Sequence, residues 1–263
     1  MRFAHVSDLH LSDSVAPGGA STPATARRVA AAVADDLAEI SAGLDFIVVS
    51  GDLTEAGEPA CFATFEELFA PLPVPVFVVP GNHDGPTAMR SYQQTSKRLA
   101  DWDLTNRVVE LGDVRLLGLD TCIDKCTTGA LGEDALALVR AEVRRAAESR
   151  LVIVMHHPPL LLGQKVFDGF CSMERGDAFL SILAAVPRPT LVLAGHVHRP
   201  YQATSGTITC CVAGSMVAPC VSDLPFGAMP IRPAPVQDHY FVHELLGPDH
   251  HVVTPQRVAA LAG

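Results

Sequence analysis

Short β-branched apolar runs recur along this chain, and each stops in a turn that carries His, Asp or Asn. Val76-Phe77-Val78-Val79 breaks at Pro80-Gly81 and is followed at once by Asn82, His83 and Asp84. Phe46 to Ser50 runs into Gly51-Asp52, Leu151 to Met155 into His156-His157-Pro158-Pro159, and Thr190 to Ala194 into Gly195-His196-Val197-His198. At the start of the chain, Arg2 to Val6 is followed by Asp8 and His10. Runs this short, bounded by turn residues, read as buried strands. Buried strands of this kind belong to parallel sheets covered on both faces, and their carboxyl ends share one rim where ligands bind.

Helix-like stretches separate the runs. Ala24 to Ala42 is alanine-rich and amphipathic behind a Ser/Thr/Pro cluster, and Glu58 to Phe69 carries Phe62, Phe65 and Phe69 on one face. Thr87 to Thr105 is helical or irregular, Glu133 to Ala147 reads as a helix, and Gly176 to Ala185 as a short one. Val108 to Leu111 and Val114 to Leu119 form a hairpin around Gly112-Asp113. The expectation is an α/β fold in a single domain spanning 1–263, with 199–263 its β-rich C-terminal part. Within that part, Ser215 to Asp238 is proline-rich and aperiodic, long enough for a cap or a dimerisation loop.

Charge narrows the partners. The formal charge is −10 and Lys and Arg are never clustered, which argues against a nucleic-acid polymer. A small phosphate ester stays open, since a bound metal reverses the sign locally. No apolar run reaches eighteen residues, so no transmembrane helix and no membrane partner is expected. Asp8 interrupts the N-terminus before a signal-peptide core can form, and the expected location is cytoplasmic. The seven cysteines lack Cys-x-x-Cys spacing and read as reduced thiols, with Cys122-x3-Cys126 the one pair spaced to close on oxidation.

Each strand end has an ordinary reading. Asp8-Leu9-His10 can cap a helix, Gly51-Asp52 can be a turn, and His156-His157 can be a satisfied pair. Their common placement is what those readings leave unexplained. The donors are imidazole nitrogens and carboxylate or amide oxygens without thiolate, a set that suits Mn, Fe, Zn or Co. Seven such side chains exceed what one catalytic ion takes and fit two ions sharing a carboxylate. Two ions so placed polarise a phosphoryl oxygen and acidify a bridging water, whose hydroxide attacks in line.

The order Asp-x-His, Gly-Asp, Gly-Asn-His-Asp, His, Gly-His-x-His resembles that of the calcineurin-like metallophosphoesterases. Within them it is most similar to the bacterial class III cyclic nucleotide phosphodiesterase and glycerophosphodiesterase branch. The resemblance implies a four-layer α-β-β-α sandwich of two mixed sheets with a dinuclear metal site at the strand C-terminal ends. It implies that Asp8, His10 and His198 hold one ion, that Asp52 bridges, and that Asn82, His156 and His196 complete the second, with Fe or Mn ahead of Zn or Co. The family pattern selects His156 over His157. His83 is implied to contact the phosphate and protonate the leaving oxygen. Asp84, read from its own chemistry, caps the next helix or orients His83, capping being the stronger reading because Asp is a favoured N-cap.

Gly51-Asp52-Leu53-Thr54-Glu55-Ala56-Gly57 lacks the arginine of the protein phosphatases' Gly-Asp-x-x-Asp-Arg-Gly. A singly charged small phosphodiester, a cyclic nucleotide such as cAMP or a glycerophosphodiester, is therefore the expected substrate. A phosphomonoesterase or nucleotidase on the same site is the alternative, and a non-catalytic scaffold a further one. Specificity is expected in Leu160 to Arg175 and Ser215 to Asp238, where Phe167, Phe170, Phe226 and Met229 can face a leaving group or pack the loops.

Overall fold

A computed structural model describes residues 1–15, 21–145, 149–160, 163, 168–169, 173–221, 232–233 and 237–262. In chain order the elements are β1 (Arg2–Val6), α1 (Pro23–Ile40), β2 (Phe46–Val49), α2 (Pro59–Phe69), β3 (Val76–Val78), α3 (Pro86–Gln93) and α4 (Lys97–Trp102). There follow β4 (Val108–Leu111), β5 (Val114–Gly118), β6 (Gly129–Ala130), α5 (Glu133–Arg145), β7 (Arg150–Val154), β8 (Met173–Glu174), α6 (Gly176–Leu183) and β9 (Thr190–Ala194). The chain closes with β10 (Tyr201–Ser205), β11 (Ile208–Val212), β12 (Cys220–Val221), β13 (Arg232–Pro233), β14 (His239–Leu245) and β15 (His251–Arg257).

Two mixed sheets result. The first has the order β15-β14-β1-β2-β3 and the second β10-β11-β9-β7-β5-β4. β1, β2 and β3 run parallel, as do β11, β9, β7 and β5, while β14 pairs antiparallel with both β1 and β15, and β10 and β4 close the second sheet as antiparallel edges. Three apolar layers hold them. α1 and α2 pack on one face of the first sheet through Val29, Val33, Phe62 and Phe65. α5 and α6 pack on the second through Leu136, Val139, Phe179 and Leu183. Between the sheets lie Phe3, Val48, Leu116, Val152 and Leu193. This is the expected four-layer α-β-β-α sandwich. Strands such as Phe46-Ile47-Val48-Val49 are apolar at every position because both of their faces are covered.

The stretch expected as helical or irregular after Thr87 is two short helices. Both are tied to α2 by Glu66, whose carboxylate accepts the Tyr92 hydroxyl (2.9 Å) and the Leu99 N–H (2.7 Å). β15 runs through Pro255, which an edge strand tolerates because it needs no ladder N–H there. Cys122 and Cys126 are free thiols. Among the described residues no helix is long and apolar enough to cross a membrane.

Phe65 is fully buried, stacked on Phe69 with ring centroids 4.5 Å apart and met edge-on by Trp102 at 5.9 Å. Phe65→Ala should lower stability by about 3–5 kcal/mol, read as a lower denaturant midpoint at unchanged slope.

Candidate metal centre

All the residues expected at the site follow parallel strands. β1, β2 and β3 of the first sheet lead to Asp8 and His10, Asp52, and Asn82 with His83; β7 and β9 of the second lead to His156, and to His196 with His198. The two rims face each other, and the structure brings all eight side chains into one constellation.

Five of them sit on left-handed backbone: Asp8 (φ 55°), His10 (45°), Asp52 (50°), His196 (74°) and His198 (53°). Non-glycine residues held this way cost about 1–3 kcal/mol each and persist only where the surroundings fix them. Here the fixing contacts are explicit. The Asp8 and His10 N–H groups donate to the carbonyls of Gly51 (3.1 Å) and Asp52 (3.0 Å), and the His196 N–H donates to Asp8 Oδ1 (3.1 Å). Gly81 and Gly195 permit the close approach, since a Cβ on Gly81 would fall on the Asp52 carboxylate and one on Gly195 on Ser7 Oγ and Asp8 Oδ2.

The imidazoles are oriented from behind. His10 Nδ1 lies 2.8 Å from Glu55 Oε2, His156 Nδ1 donates to the Ser50 carbonyl (2.9 Å), and His198 Nδ1 to the Ala218 carbonyl (2.8 Å). Each bond leaves Nε2 facing inward, the tautomer that ligates metal. His10 Nε2 and His198 Nε2 meet at 2.9 Å, and one ligand atom each from Asp8, His10, Asp52 and His198 falls within 4.8 Å of the others. Beside this group, Asn82 Oδ1 lies 3.1 Å from His156 Nε2 and 2.9 Å from His196 Nδ1. Asp52 stands between the two groups, with Oδ2 at 3.6 Å from His10 Nε2 and 3.3 Å from His156 Nε2. These donors fit a pair of cations in number and in kind.

The electrostatics agree. Burial by itself would raise the Asp52 carboxyl, but the charge and hydrogen bond of His156, with His10 and His83, hold it well below the usual range. Burial lowers His156, yet Asp52 and Asp8 bring it up to about 9; His198, likewise opposed by burial, is brought up to about 9 by Cys220, Asp8 and Asp52. The carboxylates that draw these imidazoles toward the protonated form would equally draw a cation to the same place.

His83 is set slightly apart. Its N–H donates to Asp52 Oδ1 (2.9 Å), its Nδ1 lies 2.8 Å from the Glu55 carbonyl, and its side chain is 36% exposed. Asp84 is not a helix cap: α3 starts behind Gly85 with no side-chain cap. Its carboxylate accepts the N–H groups of Gly81 (2.9 Å), Thr54 (2.9 Å) and Leu53 (3.2 Å), tying the turn after β3 to the turn after β2. Burial, then the nearby Asp52 charge, pushes Asp84 up to about 6 against the pull of those donors. His157 points away from the cluster, with Nδ1 2.7 Å from Thr121 Oγ1 and Nε2 3.2 Å from the Thr127 carbonyl; burial keeps it neutral, well below the usual value.

Glu55 was not singled out from the sequence, although it stands only three residues beyond Asp52. The segment expected as a cap or dimer loop begins by backing the site: Ser215 Oγ donates to the Asp8 carbonyl (2.7 Å), and Ala218 supports His198. Most of the remainder, with Phe226 and Met229, lies outside the described residues, as do Phe167 and Phe170 of the 160–175 loop.

Residues 1–200 match the family described as Calcineurin-like phosphoesterase. The chain is 29% identical over 165 residues to the 3',5'-cyclic adenosine monophosphate phosphodiesterase CpdA of Pseudomonas aeruginosa, covering 63% of this chain and 58% of that protein. It is 28% identical over 204 residues to the "Probable glycerophosphodiester phosphodiesterase GpdQ" of Arcobacter nitrofigilis, covering 76% and 74%. A dimetal phosphatase from Danio rerio superposes with a TM-score of 0.73 at 14% identity, covering 98% of this chain and 96% of that one; at that identity the likeness concerns the fold alone.

Both oxygens of Asp84 accept main-chain N–H groups, so Asp84→Asn must turn its amide nitrogen against a donor whichever way it flips. That substitution should lower stability by about 1–3 kcal/mol in chemical denaturation.

Proposed function

We propose, from the premise that this chain belongs to the calcineurin-like phosphoesterase family, that it hydrolyses small phosphodiesters, cyclic nucleotides or glycerophosphodiesters. The observation that carries the reading is the donor set itself, gathered from the ends of five strands with His10, His156 and His198 locked to face inward. In this reading Asp8, His10 and His198 hold one ion, Asn82, His156 and His196 the other, and Asp52 joins them. Fe or Mn is the proposed pair, ahead of Zn or Co, as the family resemblance implies; the oxygen and imidazole donors without sulfur suit all four. When bound, two such ions supply electrophilic activation of the phosphoryl group and a nucleophile at neutral pH.

The chain's own residues then divide the remaining work. Asp52 spends one carboxylate oxygen on the His83 N–H and turns the other toward His10 and His156, so a single side chain positions both halves of the site and the acid. His83, fastened through Nδ1 to the Glu55 carbonyl, keeps Nε2 for the substrate, where it protonates the departing alkoxide. The Glu55 carboxylate, 3.8 Å from that ring, adds negative charge beside the phosphate position and favours a diester monoanion over a monoester dianion. A reducing cytoplasm is part of this reading, supported by the free thiols of Cys61, Cys122, Cys126, Cys210, Cys211 and Cys220.

A panel of cAMP, a glycerophosphodiester, a bis-aryl phosphate and a mono-aryl phosphate, run after reconstitution with Mn²⁺, tests the reading. Chelator-sensitive turnover of the diesters is expected, and preference for the mono-aryl phosphate would instead mark a phosphomonoesterase. His83→Ala should keep its metal content and lose about 10²–10⁴ in kcat, measured on the better diester; loss of metal would refute the proton-donor role.

A further inference from the structure

A second constellation of nitrogen and sulfur lies between the two sheets and shares no residue with the centre above. His243 on β14 and His251 on β15 face Cys211 on β11 of the opposite sheet, and one ligand atom from each lies within 4.8 Å of the others. Cys211 and His243 are buried, while His251 is half-buried at the sheet edge and gives the cluster a way out to solvent.

The rings belong to a stack. Phe46, Phe3, His243 and His251 follow one another at centroid spacings of 4.6, 4.9 and 5.1 Å, with planes within 9° of parallel. Stacking alone asks for no nitrogen, and phenylalanine would serve it at both histidine positions. Instead His243 Nδ1 lies 2.9 Å from His251 Nε2. His243 Nε2 and the Nδ1 of neighbouring His5, whose ring centroid is 5.6 Å away, are buried with no hydrogen-bond partner among the described residues. A buried nitrogen without a partner costs about 1–3 kcal/mol. Unpartnered nitrogens inside an apolar layer, beside a thiol and a second imidazole, point to a ligand that would satisfy them.

We propose that Cys211, His243 and His251 form a separate metal site for one borderline-soft divalent cation of the zinc class. The cation ties the β14–β15 hairpin of the first sheet to β11 of the second. Sulfur with imidazole selects Zn²⁺ or Co²⁺ over Mg²⁺, Ca²⁺ or Mn²⁺, whereas the sulfur-free centre at the strand ends does not. Burial already keeps both rings in the neutral, ligating form, His243 well below the usual value and His251 down at about 4. Burial also pushes the Cys211 thiol up to about 12, so its proton leaves for solvent only against the incoming charge. No electron is transferred in the step.

Titration of the metal-stripped, full-length protein with Co²⁺, following the thiolate-to-cobalt charge-transfer absorption, tests the site. One equivalent per chain should develop that band. Cys211→Ser should abolish it, whereas Cys220→Ser, which removes the thiol beside the strand-end centre, should keep it. His251→Ala, at a half-buried position, should lose it too and carries the test should Cys211→Ser fail to fold. A space filled by water alone gives no band. That outcome, or a band that survives in Cys211→Ser or His251→Ala, overturns the proposal.

Discussion

A fully buried carboxylate at the junction of two sheet rims is the constraint on which the rest of the structure turns. Asp52 is 1% exposed, and a charge taken out of water at that depth is costly unless it is paired and hydrogen-bonded. The protein pairs it from both sheets, with His83 N–H and His10 from the first and His156 from the second. Satisfying this one side chain therefore requires the sandwich to be assembled in register. It also explains why local rules are broken beside it. Left-handed non-glycine residues and glycines with no room for a Cβ are the means by which three turns crowd around one charge.

The support for that crowding comes from polar groups with no role in chemistry. Asp84 binds the turn after β2 to the turn after β3, and Ser215 reaches Asp8 from beyond β11. Main-chain carbonyls of Ser50 and Ala218 decide which nitrogen of His156 and His198 faces inward. A donor set held in this way is preorganised, since its rotamers are settled by hydrogen bonds made on the side away from the site. The histidine pair in β14 and β15 follows a different logic, with rings stacked in the apolar layer and a thiol from the facing sheet.

The readable part of the site was the part encoded in strand ends. Apolar runs closed by Gly-Asp, Gly-Asn-His or Gly-His-x-His report both a buried parallel strand and what stands on its rim, because the periodicity and the turn are local. Glu55 was not readable in this way, since its carboxylate meets histidines 45 and 28 positions away, His10 and His83. Asp84 was misread as a cap for the same reason. An Asp before a helix is a capping signal locally, but two main-chain donors from the distant turn after β2, with one from its own turn, hold the carboxylate away from the helix end.

By itself the sequence determined the α/β class, the strands and most helices, and the eight side chains at the rim, because hydrophobic periodicity and turn chemistry are properties of neighbours along the chain. Tertiary structure decided which strands are edges, that His157 turns to Thr121 while His156 turns inward, and that residues 215–220 back the site. It also set Cys211 opposite His243 and His251. These are contacts between sheets. Nothing local in the chain specifies them, because they depend on how two finished sheets pack, and the burial of Asp52 is what that packing has to satisfy.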